Sequence, residues 1–358
     1  MLQILSVTFP FFALVLAGYI AAWRKMLPLE AIPGLNGFVL YFALPCMLYR
    51  FGASTPLAQL LDAPLFLTYL VCALVMVGFV VTVSLNSRIG WNDAAFGALV
   101  SAFPNTGFMG VPLLVALLGT AAAGPAIVTI VVDMVITSSL CIALSRLDSR
   151  TFAVPLAFML SDGSLAAPLA SESRHVAIQA SAARVAAQQA LKGVLSNPLP
   201  WSILLGGLAS AVQLKLPGPV MQTVGLLADA ASPVALFTIG AVLARSQMMV
   251  RGAATAPGGS VNQGVAMPWF DYVPVALAKL VVHPLLVLLV GATAIRLGMD
   301  VEPFALTIIV LVAALPSASN VVMLAERFGA DNGRIARIIL VSTVLSFFTF
   351  SGAVALLH

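Results

Sequence analysis

Apolar stretches long enough to cross a lipid bilayer follow one another along almost the whole chain. A helix needs about 20 mostly apolar residues to span the hydrocarbon core. Glycines, prolines and charges divide the sequence into ten such segments, near 3–23, 34–52, 64–84, 94–118, 124–145, 198–214, 220–244, 273–296, 303–325 and 335–357. Only 8% of the residues are charged, against about 25% in soluble domains. The sequence therefore predicts an all-α polytopic membrane protein with ten transmembrane helices.

Lysine and arginine are distributed unequally between the predicted loops. Loops after odd-numbered segments hold thirteen of them, and loops after even-numbered segments hold three. Because cytoplasmic loops collect Lys and Arg, we expect the odd loops in the cytoplasm and both termini on the non-cytoplasmic side. This topology explains the formal net charge of +4, so no nucleic-acid partner is expected.

Prolines recur in the same order in the two halves of the chain. A long polar loop, 146–197, separates the half 1–145 from the half 198–358, and each half has five segments. The matched pairs are Pro45 with Pro233, Pro64 with Pro274, and Pro104 with Pro316. Since five is odd, the second half enters the membrane in the opposite orientation. The pattern predicts two inverted five-helix repeats, typical of secondary transporters, with the substrate at matched interrupted segments.

The stretch "SAFPNTGFMGVPLLV" (101–115) places helix-breaking residues inside the fourth segment, and "ALPSASN" (314–320) does so in the ninth. Proline removes a backbone donor, and the predicted helix breaks are Pro45, Pro104, Pro112, Pro233 and Pro316. Each broken helix exposes an N-terminus with about half a positive charge, which favours anions. The predicted substrate-binding residues are Asn105, Thr106, Gly107, Ser317, Ser319 and Asn320. In the alternative interpretation, Asn105 and Asn320 only cap the broken ends and hold neighbouring helices together.

Ionisable residues within predicted spans are functional candidates, because their burial in lipid is costly. Asp133 is central in the fifth segment, and Lys279 and His283 share a face of the eighth, four residues apart. They form a candidate proton or charge relay. For Lys279, attraction of the anion, pairing with Asp133, a buried structural role and snorkelling to the interface all remain open. Three scattered histidines and three cysteines without a C-x-x-C pair predict no metal and no cofactor.

Several motifs resemble those of the auxin efflux carrier family. They are "GFVLYFALPCMLYRF" (37–51), "PNTGFMGVPLL" (104–114), "LSNPLPWSILLGG" (195–207), "DAASPVALFTIGAVLA" (229–244) and "KLVVHPLL" (279–286). The stretches "PNTGFMGVPLLVALLG" and "VVDMVITSSLCIAL" are most similar to its bacterial malonate-transporter branch. The resemblance implies crossed broken helices in spans four and nine, a scaffold domain and an elevator-like transport domain. It also implies an organic anion such as malonate as substrate and the bacterial cytoplasmic (inner) membrane as location.

Other classes of function fit the sequence less well. The motifs H-E-x-x-H, G-x-S-x-G and the P-loop are absent from the sequence, which disfavours an enzyme and a primary pump. An anion channel and a cation/proton exchanger of related architecture remain alternatives. H⁺ or Na⁺ as a coupling ion and a second copy in a homodimer are compatible partners, besides the lipid bilayer. Loop 146–197 is expected to be a cytoplasmic linker, and loop 246–272 a flexible cytoplasmic segment rich in glycine.

Overall fold

The computed structural model describes residues 2–56, 62–146, 198–255 and 267–357, and its regular elements there are helices. They are α1 (Leu2–Trp23), α2 (Ala31–Ser54), α3 (Ala63–Ser84), α4 (Trp91–Ala102), α5 (Thr106–Leu118), α6 (Thr120–Ser145), α7 (Pro198–Ala211), α8 (Gly218–Thr255), α9 (Val273–Arg296), α10 (Pro303–Ala313), α11 (Val321–Arg327) and α12 (Asn332–Leu357). The prediction of an all-helical chain is thus confirmed for these ranges.

Seven of the helices are long and apolar enough to cross a bilayer: α1, α2, α3, α6, α8, α9 and α12. Three shorter apolar helices, α5, α7 and α10, accompany them. The predicted segments 94–118 and 303–325 are each divided in two, into α4 and α5 and into α10 and α11. The chain is therefore a multi-pass membrane protein by the length and composition of its helices.

The described residues include only part of the two long predicted loops. All but the first residue of the linker 146–197 lies outside the described residues. Helix α8 continues to Thr255, so it occupies the first ten residues of the predicted loop 246–272. Residues 256–266 of that loop are again outside the described ranges.

Three π-helical stretches each end two residues before a proline. They are Val39–Ala43 before Pro45, Thr106–Gly110 before Pro112, and Ala278–Val282 before Pro284. Proline lacks a backbone N–H and its ring crowds the preceding turn, and the wider π turn accommodates that crowding within a continuous helix. The expected breaks at Pro45 and Pro112 are consequently absent, since both lie inside α2 and α5. Pro233 likewise lies inside α8.

Glycines bring two pairs of helices into backbone contact. A Cβ atom on Gly18 of α1 would overlap the carbonyl oxygen of Phe237 in α8, and one on Gly240 of α8 would overlap that of Val15 in α1. A Cβ on Gly206 of α7 would lie 2.6 Å from the Tyr49 carbonyl oxygen in α2. Small residues permit such close helix packing in membranes. We refer to α1, α2, α7 and α8 as the glycine-packed set.

Side-chain hydrogen bonds join the members of this set to one another. The Tyr19 hydroxyl of α1 donates to Gln247 Oε1 of α8 at 2.8 Å, and Arg50 of α2 pairs with Asp229 of α8 at 2.6 Å. Ser210 of α7 donates to the Thr55 carbonyl oxygen, which follows α2. The remaining helices, α3–α6 and α9–α12, form a second group, which we call the crossover set.

Candidate functional site

The two interrupted helices meet through their broken backbones. Residues 103–105 separate α4 from α5, and residues 314–320 separate α10 from α11. Pro104 and Ser317 face each other as an isolated antiparallel bridge. The Asn105 amide donates to the Pro316 carbonyl oxygen at 2.9 Å, and the Ala318 amide donates to the Phe103 carbonyl oxygen at 3.0 Å. This crossover therefore pairs four backbone groups that broken helices would otherwise leave unsatisfied in the membrane.

Pro104 fits this ladder because of where its missing donor falls. In an antiparallel pair, directly opposed residues alternate between exchanging hydrogen bonds and exchanging none. Pro104 and Ser317 form a pair of the second kind, since the bonds run through their neighbours. The missing N–H of Pro104 therefore costs the ladder no hydrogen bond, and the amide of Ser317 points away from the ladder. That amide donates to Ser342 Oγ of α12 at 3.2 Å.

Polar side-chain atoms without a partner are concentrated at the crossover. Buried polar groups are hydrogen-bonded in the great majority of cases. Around the paired breaks, five buried side-chain oxygens nevertheless have no hydrogen-bond partner, and they belong to Ser101, Asn105, Thr106, Ser317 and Asn320. Four of the six predicted substrate-binding residues are among them. Ser319 is buried in the turn before α11, next to Asn320.

The two asparagines occupy helix N-cap positions without capping. Asn105 precedes α5 and Asn320 precedes α11, yet neither side chain makes a cap hydrogen bond. The Asn105 carbonyl oxygen instead accepts from the amides of Met109 and Gly110, at 3.1 and 3.0 Å. The Oδ1 atom of Asn105, a residue that is 3% exposed, has no hydrogen-bond partner. Neither asparagine side chain therefore caps its helix in this structure.

The two glycines of the α5 start serve different purposes. A Cβ atom on Gly110 would lie 2.5 Å from Leu315 Cδ1 of the other interrupted helix, so Gly110 permits the crossing itself. A Cβ on Gly107 would meet only Leu44 Cδ2, at 3.7 Å. A methyl group at Gly107 would therefore fit without a clash. Gly107 lies in the first turn of α5, where amide groups lack intrahelical acceptors.

Asp133 lies fully buried in a fourth π-helical stretch, Val132–Thr137, which is not followed by a proline. Its carboxylate accepts from the Tyr69 hydroxyl of α3 at 2.9 Å and from Thr137 Oγ1 at 3.2 Å. Ser138 Oγ donates to the Asp133 carbonyl oxygen at 2.8 Å. Side chains rather than a proline thus accompany the wide turn, and π turns of this kind are frequent at functional sites.

Lys279 and His283 are also fully buried, and they connect α9 to the crossover. Lys279 Nζ donates to the carbonyl oxygen of Ala313, the last residue of α10, at 2.8 Å and lies 3.0 Å from His283 Nδ1. A cation is favourable at this position, since the carbonyl end of a helix is its negative end. Between Lys279 and Asp133 there is no ion pair within 4.0 Å, so of the open alternatives for Lys279 the direct pairing with Asp133 is not observed.

Tyr69 links these two groups into one buried cluster. Its hydroxyl binds Asp133, and its ring lies 6.0 Å from the His283 ring, centroid to centroid. The predicted relay residues are therefore neighbours of one aromatic side chain that the sequence did not single out. Tyr69, Thr137, Ser101 and Ser342 were all missed. Only the repeat carried a signal for Tyr69, because it stands 210 residues before Lys279, the same offset as between Pro64 and Pro274.

Nearly the whole sequence matches a known family of membrane transport proteins. The family model described as "Membrane transport protein" matches residues 4–354, nearly the whole chain. The chain belongs to the auxin efflux carrier family. A similar protein from Rhizobium meliloti (strain 1021), named "Putative malonate transporter", is 28% identical over 359 residues, which cover 100% of this chain and 97% of that protein. The family resemblance of the sequence motifs is confirmed, and the chain is a membrane transporter by family.

Proposed function

We propose that this family member is a secondary transporter that carries a small organic anion across the cytoplasmic membrane by alternating access. The observation that carries the proposal is the group of buried, unpartnered polar atoms at the crossover. An unsatisfied buried polar group costs about 1–3 kcal/mol. Five of them around one backbone ladder are a cost that a bound polar ligand would relieve. The crossover is accordingly the proposed substrate site.

The chemistry of the crossover favours an anion over a cation. Residues 101–107 and 315–320 contain hydroxyls and amides but no acidic side chain. The hydroxyls of Thr106 and Ser317 can donate to a carboxylate. The unpartnered atoms of Asn105 and Asn320 are Oδ1, and these amides can donate through their NH₂ groups after a half-turn of the amide. The N-terminus of α5 adds a positive partial charge of about half an elementary charge. We propose malonate or a related small carboxylate, in line with the name of the Rhizobium meliloti relative.

The proposed topology has ten spans in two inverted repeats, with both termini outside the cytoplasm. Support comes from the ladder, in which the Asn105 and Ala318 amides make equivalent bonds in opposite directions. Tyr69 of α3 and Lys279 of α9 also stand at corresponding positions of the two halves, and each binds a neighbouring helix of the crossover set. A two-fold relation within the membrane plane is the arrangement expected of an inverted repeat. The repeats then contribute α4–α5 and α10–α11 as the two crossing spans.

The proposed movement takes place between the glycine-packed set and the crossover set. The glycine-packed set is tied internally by close backbone contacts and hydrogen bonds. The crossover set is tied by the ladder, by Ser342 and by the Tyr69–Asp133 and Lys279–Ala313 bonds. Between the sets, Phe12 of α1 packs edge-to-face on Phe347 of α12. Apolar contacts of this kind can be exchanged without breaking directional bonds, so the crossover set can move with its substrate.

The buried cluster behind the crossover is the proposed charge relay. Asp133, Tyr69, His283 and Lys279 offer an acid, a phenol, an imidazole and an amine in consecutive contact. The bond from Lys279 to Ala313 also holds the end of α10. We propose that the cluster positions the crossover and that Asp133 carries the coupling proton when transport is proton-driven.

The substrate site is tested by removing polar atoms that have no structural partner. Thr106→Val deletes an unpartnered hydroxyl, so we expect unchanged or higher thermal stability together with at least a ten-fold rise in KM for malonate. Asn105→Ala should abolish uptake while insertion into the membrane stays normal. Uptake is measured with radiolabelled malonate in proteoliposomes, preceded by a screen of mono- and dicarboxylates with and without pH and sodium gradients.

The matched control is Thr129→Val in α6. Thr129 is as deeply buried as Thr106, but its hydroxyl donates to the Ala126 carbonyl oxygen at 2.8 Å within the same helix. This variant should lose some stability and retain the wild-type KM. Normal uptake by Asn105→Ala would overturn the site. Acceleration of labelled uptake by unlabelled malonate inside the vesicles indicates a carrier, whereas unitary currents would indicate the channel alternative. Cation-for-proton exchange without carboxylate flux would indicate the exchanger.

A further inference from the structure

A cavity of about 300 Å³ lies at the boundary between the two sets of helices. Ser246 and Gln247 of α8 line it on one side, and residues of α12 with Tyr272 line it on the other. The α12 residues are Gly333, Ala336, Arg337, Leu340 and Val341. None of its lining residues belongs to the proposed substrate site.

Arg337 is the only charged side chain among the lining residues. It is half-buried, and its guanidinium lies 6.0 Å from the centroid of the Tyr272 ring. Within the described ranges, no carboxylate lies within 4.0 Å of it. Arg334, one turn away on the same helix, is by contrast engaged with the carbonyl oxygens of Asp93 and Asp271 at 2.7 and 2.8 Å. The charge of Arg337 is therefore available to the cavity.

The other polar groups around the cavity are neutral. Gln247 accepts from the Tyr19 hydroxyl through its Oε1 atom, so the donor of this side chain is its Nε2 group. Ser246 and Tyr272 contribute hydroxyls. A cavity with one cation, neutral donors and no acidic lining residue has the chemistry of an anion-attracting entrance.

The cavity ends close to the crossover. The last α12 residues that line it are Leu340 and Val341, and the next residue, Ser342, accepts a hydrogen bond from the Ser317 amide of the ladder. At about 1.5 Å rise per residue, Arg337 and Ser342 are separated by about 7–8 Å along the helix axis. An anion at Arg337 would thus be less than two helical turns from the proposed site.

We propose that this cavity is the cytoplasmic vestibule of the transporter and that Arg337 selects anions at its entrance. The proposal rests on the proposed function and topology, which place the start of α12 and the end of α8 at the cytoplasmic side. Because the walls belong to different sets, movement of the crossover set would open or close the vestibule. Carboxylates enter or leave the crossover through it.

The first test measures the charge preference of the cavity without any transport. A cysteine is placed in the cavity by Leu340→Cys, in a background with the half-buried native Cys46 replaced by Cys46→Ala. An anionic sulfonatoethyl and a cationic trimethylammonioethyl methanethiosulfonate reagent are compared in their rates of modification. Adding Arg337→Gln should lower the anion-to-cation rate ratio roughly five- to ten-fold, as expected for removal of one charge a few Å away in water, whereas Arg337→Lys should preserve it.

The second test uses malonate uptake from the cytoplasmic side of proteoliposomes. Arg337→Gln should raise KM several-fold, leave kcat nearly unchanged and flatten the dependence on ionic strength, since steering by a charge is screened by salt. Arg327→Gln is the matched control, because Arg327 is exposed at the end of α11 and does not line the cavity. Its KM should equal that of the wild type.

The two tests separate failure of this inference from failure of the proposed function. The vestibule is overturned if the thiol introduced at position 340 reacts with neither reagent. It is also overturned if Arg337→Gln leaves the anion-to-cation rate ratio unchanged. Equal effects of Arg337→Gln and Arg327→Gln on KM overturn the selective role. If the wild-type protein transports no carboxylate, the proposed function fails, whereas the thiol ratio still reports the vestibule.

Discussion

Gly107 and Gly110 lie within one π-helical stretch, and the same substitution should have opposite effects on stability at the two positions. A methyl group on Gly110 would approach Leu315 Cδ1 to 2.5 Å and Thr106 Cγ2 to 3.3 Å. Leu315 is fully buried and cannot move aside freely. A methyl group on Gly107 would make one ordinary contact, with Leu44 Cδ2 at 3.7 Å. Gly110→Ala therefore crowds the crossover, and Gly107→Ala does not.

The magnitudes follow from these contacts. Overpacking of a buried site costs about 1–3 kcal/mol, from which the helical preference of alanine over glycine, about 0.5–1 kcal/mol, is subtracted. We expect Gly110→Ala to lose up to about 2.5 kcal/mol. Gly107→Ala is expected to gain about 0.4–1 kcal/mol, because alanine restricts the unfolded chain and finds room in the folded one. Gly110→Ala should thus be less stable than the wild type and Gly107→Ala more stable, with about 2 kcal/mol between the two variants.

Although Gly107→Ala should stabilise the protein, it should impair transport. Gly107 follows Asn105 and Thr106 directly in the chain, and in the proposed site a methyl group there would compete with the anion. We expect Gly107→Ala to be thermally stable in detergent and to take up malonate with at least a ten-fold higher KM. Equal melting of the two alanine variants would refute the packing argument. Wild-type uptake by a stable Gly107→Ala protein would refute the assignment of this space to the substrate.

Three further substitutions test the surroundings of the crossover. Ser342→Ala removes the acceptor of the buried Ser317 amide and should lower the free energy of unfolding by about 1–3 kcal/mol. The Ser346 hydroxyl donates to the Thr343 carbonyl oxygen within α12, so Ser346→Ala should cost less. Equal losses in the two variants would contradict the role of Ser342. Lys279→Met leaves the Ala313 carbonyl oxygen without its charged donor and should cost about 1.5–3 kcal/mol, whereas Lys215→Met on an exposed loop should leave melting unchanged. Asp133→Asn retains an acceptor for Tyr69, so the protein should fold, and its malonate uptake should no longer respond to a pH gradient; an unaltered pH profile would exclude Asp133 as the proton carrier.

The sequence predicted the helical segments and the two interrupted spans because these features are local. Apolar length sets a membrane helix, and Pro104 and Pro316 stand where the helices end or restart. The other predicted breaks were wrong. Pro45 and Pro112 each follow a π-helical stretch that admits a proline without interrupting the helix, and Pro233 lies inside α8. The backbone can absorb a proline in more than one way, and the sequence does not determine which.

The partners around the site depended on contacts between distant segments. Tyr69 binds Asp133 from 64 residues away, and Ser342 binds Ser317 from 25 residues away. Neither residue is unusual in a membrane helix, so composition gives no reason to select it. Spacing gives a signal for Tyr69 alone, through its repeat offset from Lys279. Lys279 was selected for its charge, but its partner is a backbone carbonyl of Ala313. Every residue can supply such a group, and only the packing of α9 against α10 determines which one does.

The distribution of hydrogen bonds constrains how the crossover can move. The ladder joins α4 and α5 to α10 and α11 through Asn105 and Ala318, and Ser342 attaches this unit to α12. Separation of the two interrupted spans within the membrane would leave four backbone groups unpaired, each at a cost of several kcal/mol. A movement in which one repeat slides past the other at the crossover is therefore unfavourable. Displacement of the whole crossover set along the apolar boundary with α1, α2, α7 and α8 breaks none of these bonds, and it carries the proposed anion site together with one wall of the vestibule.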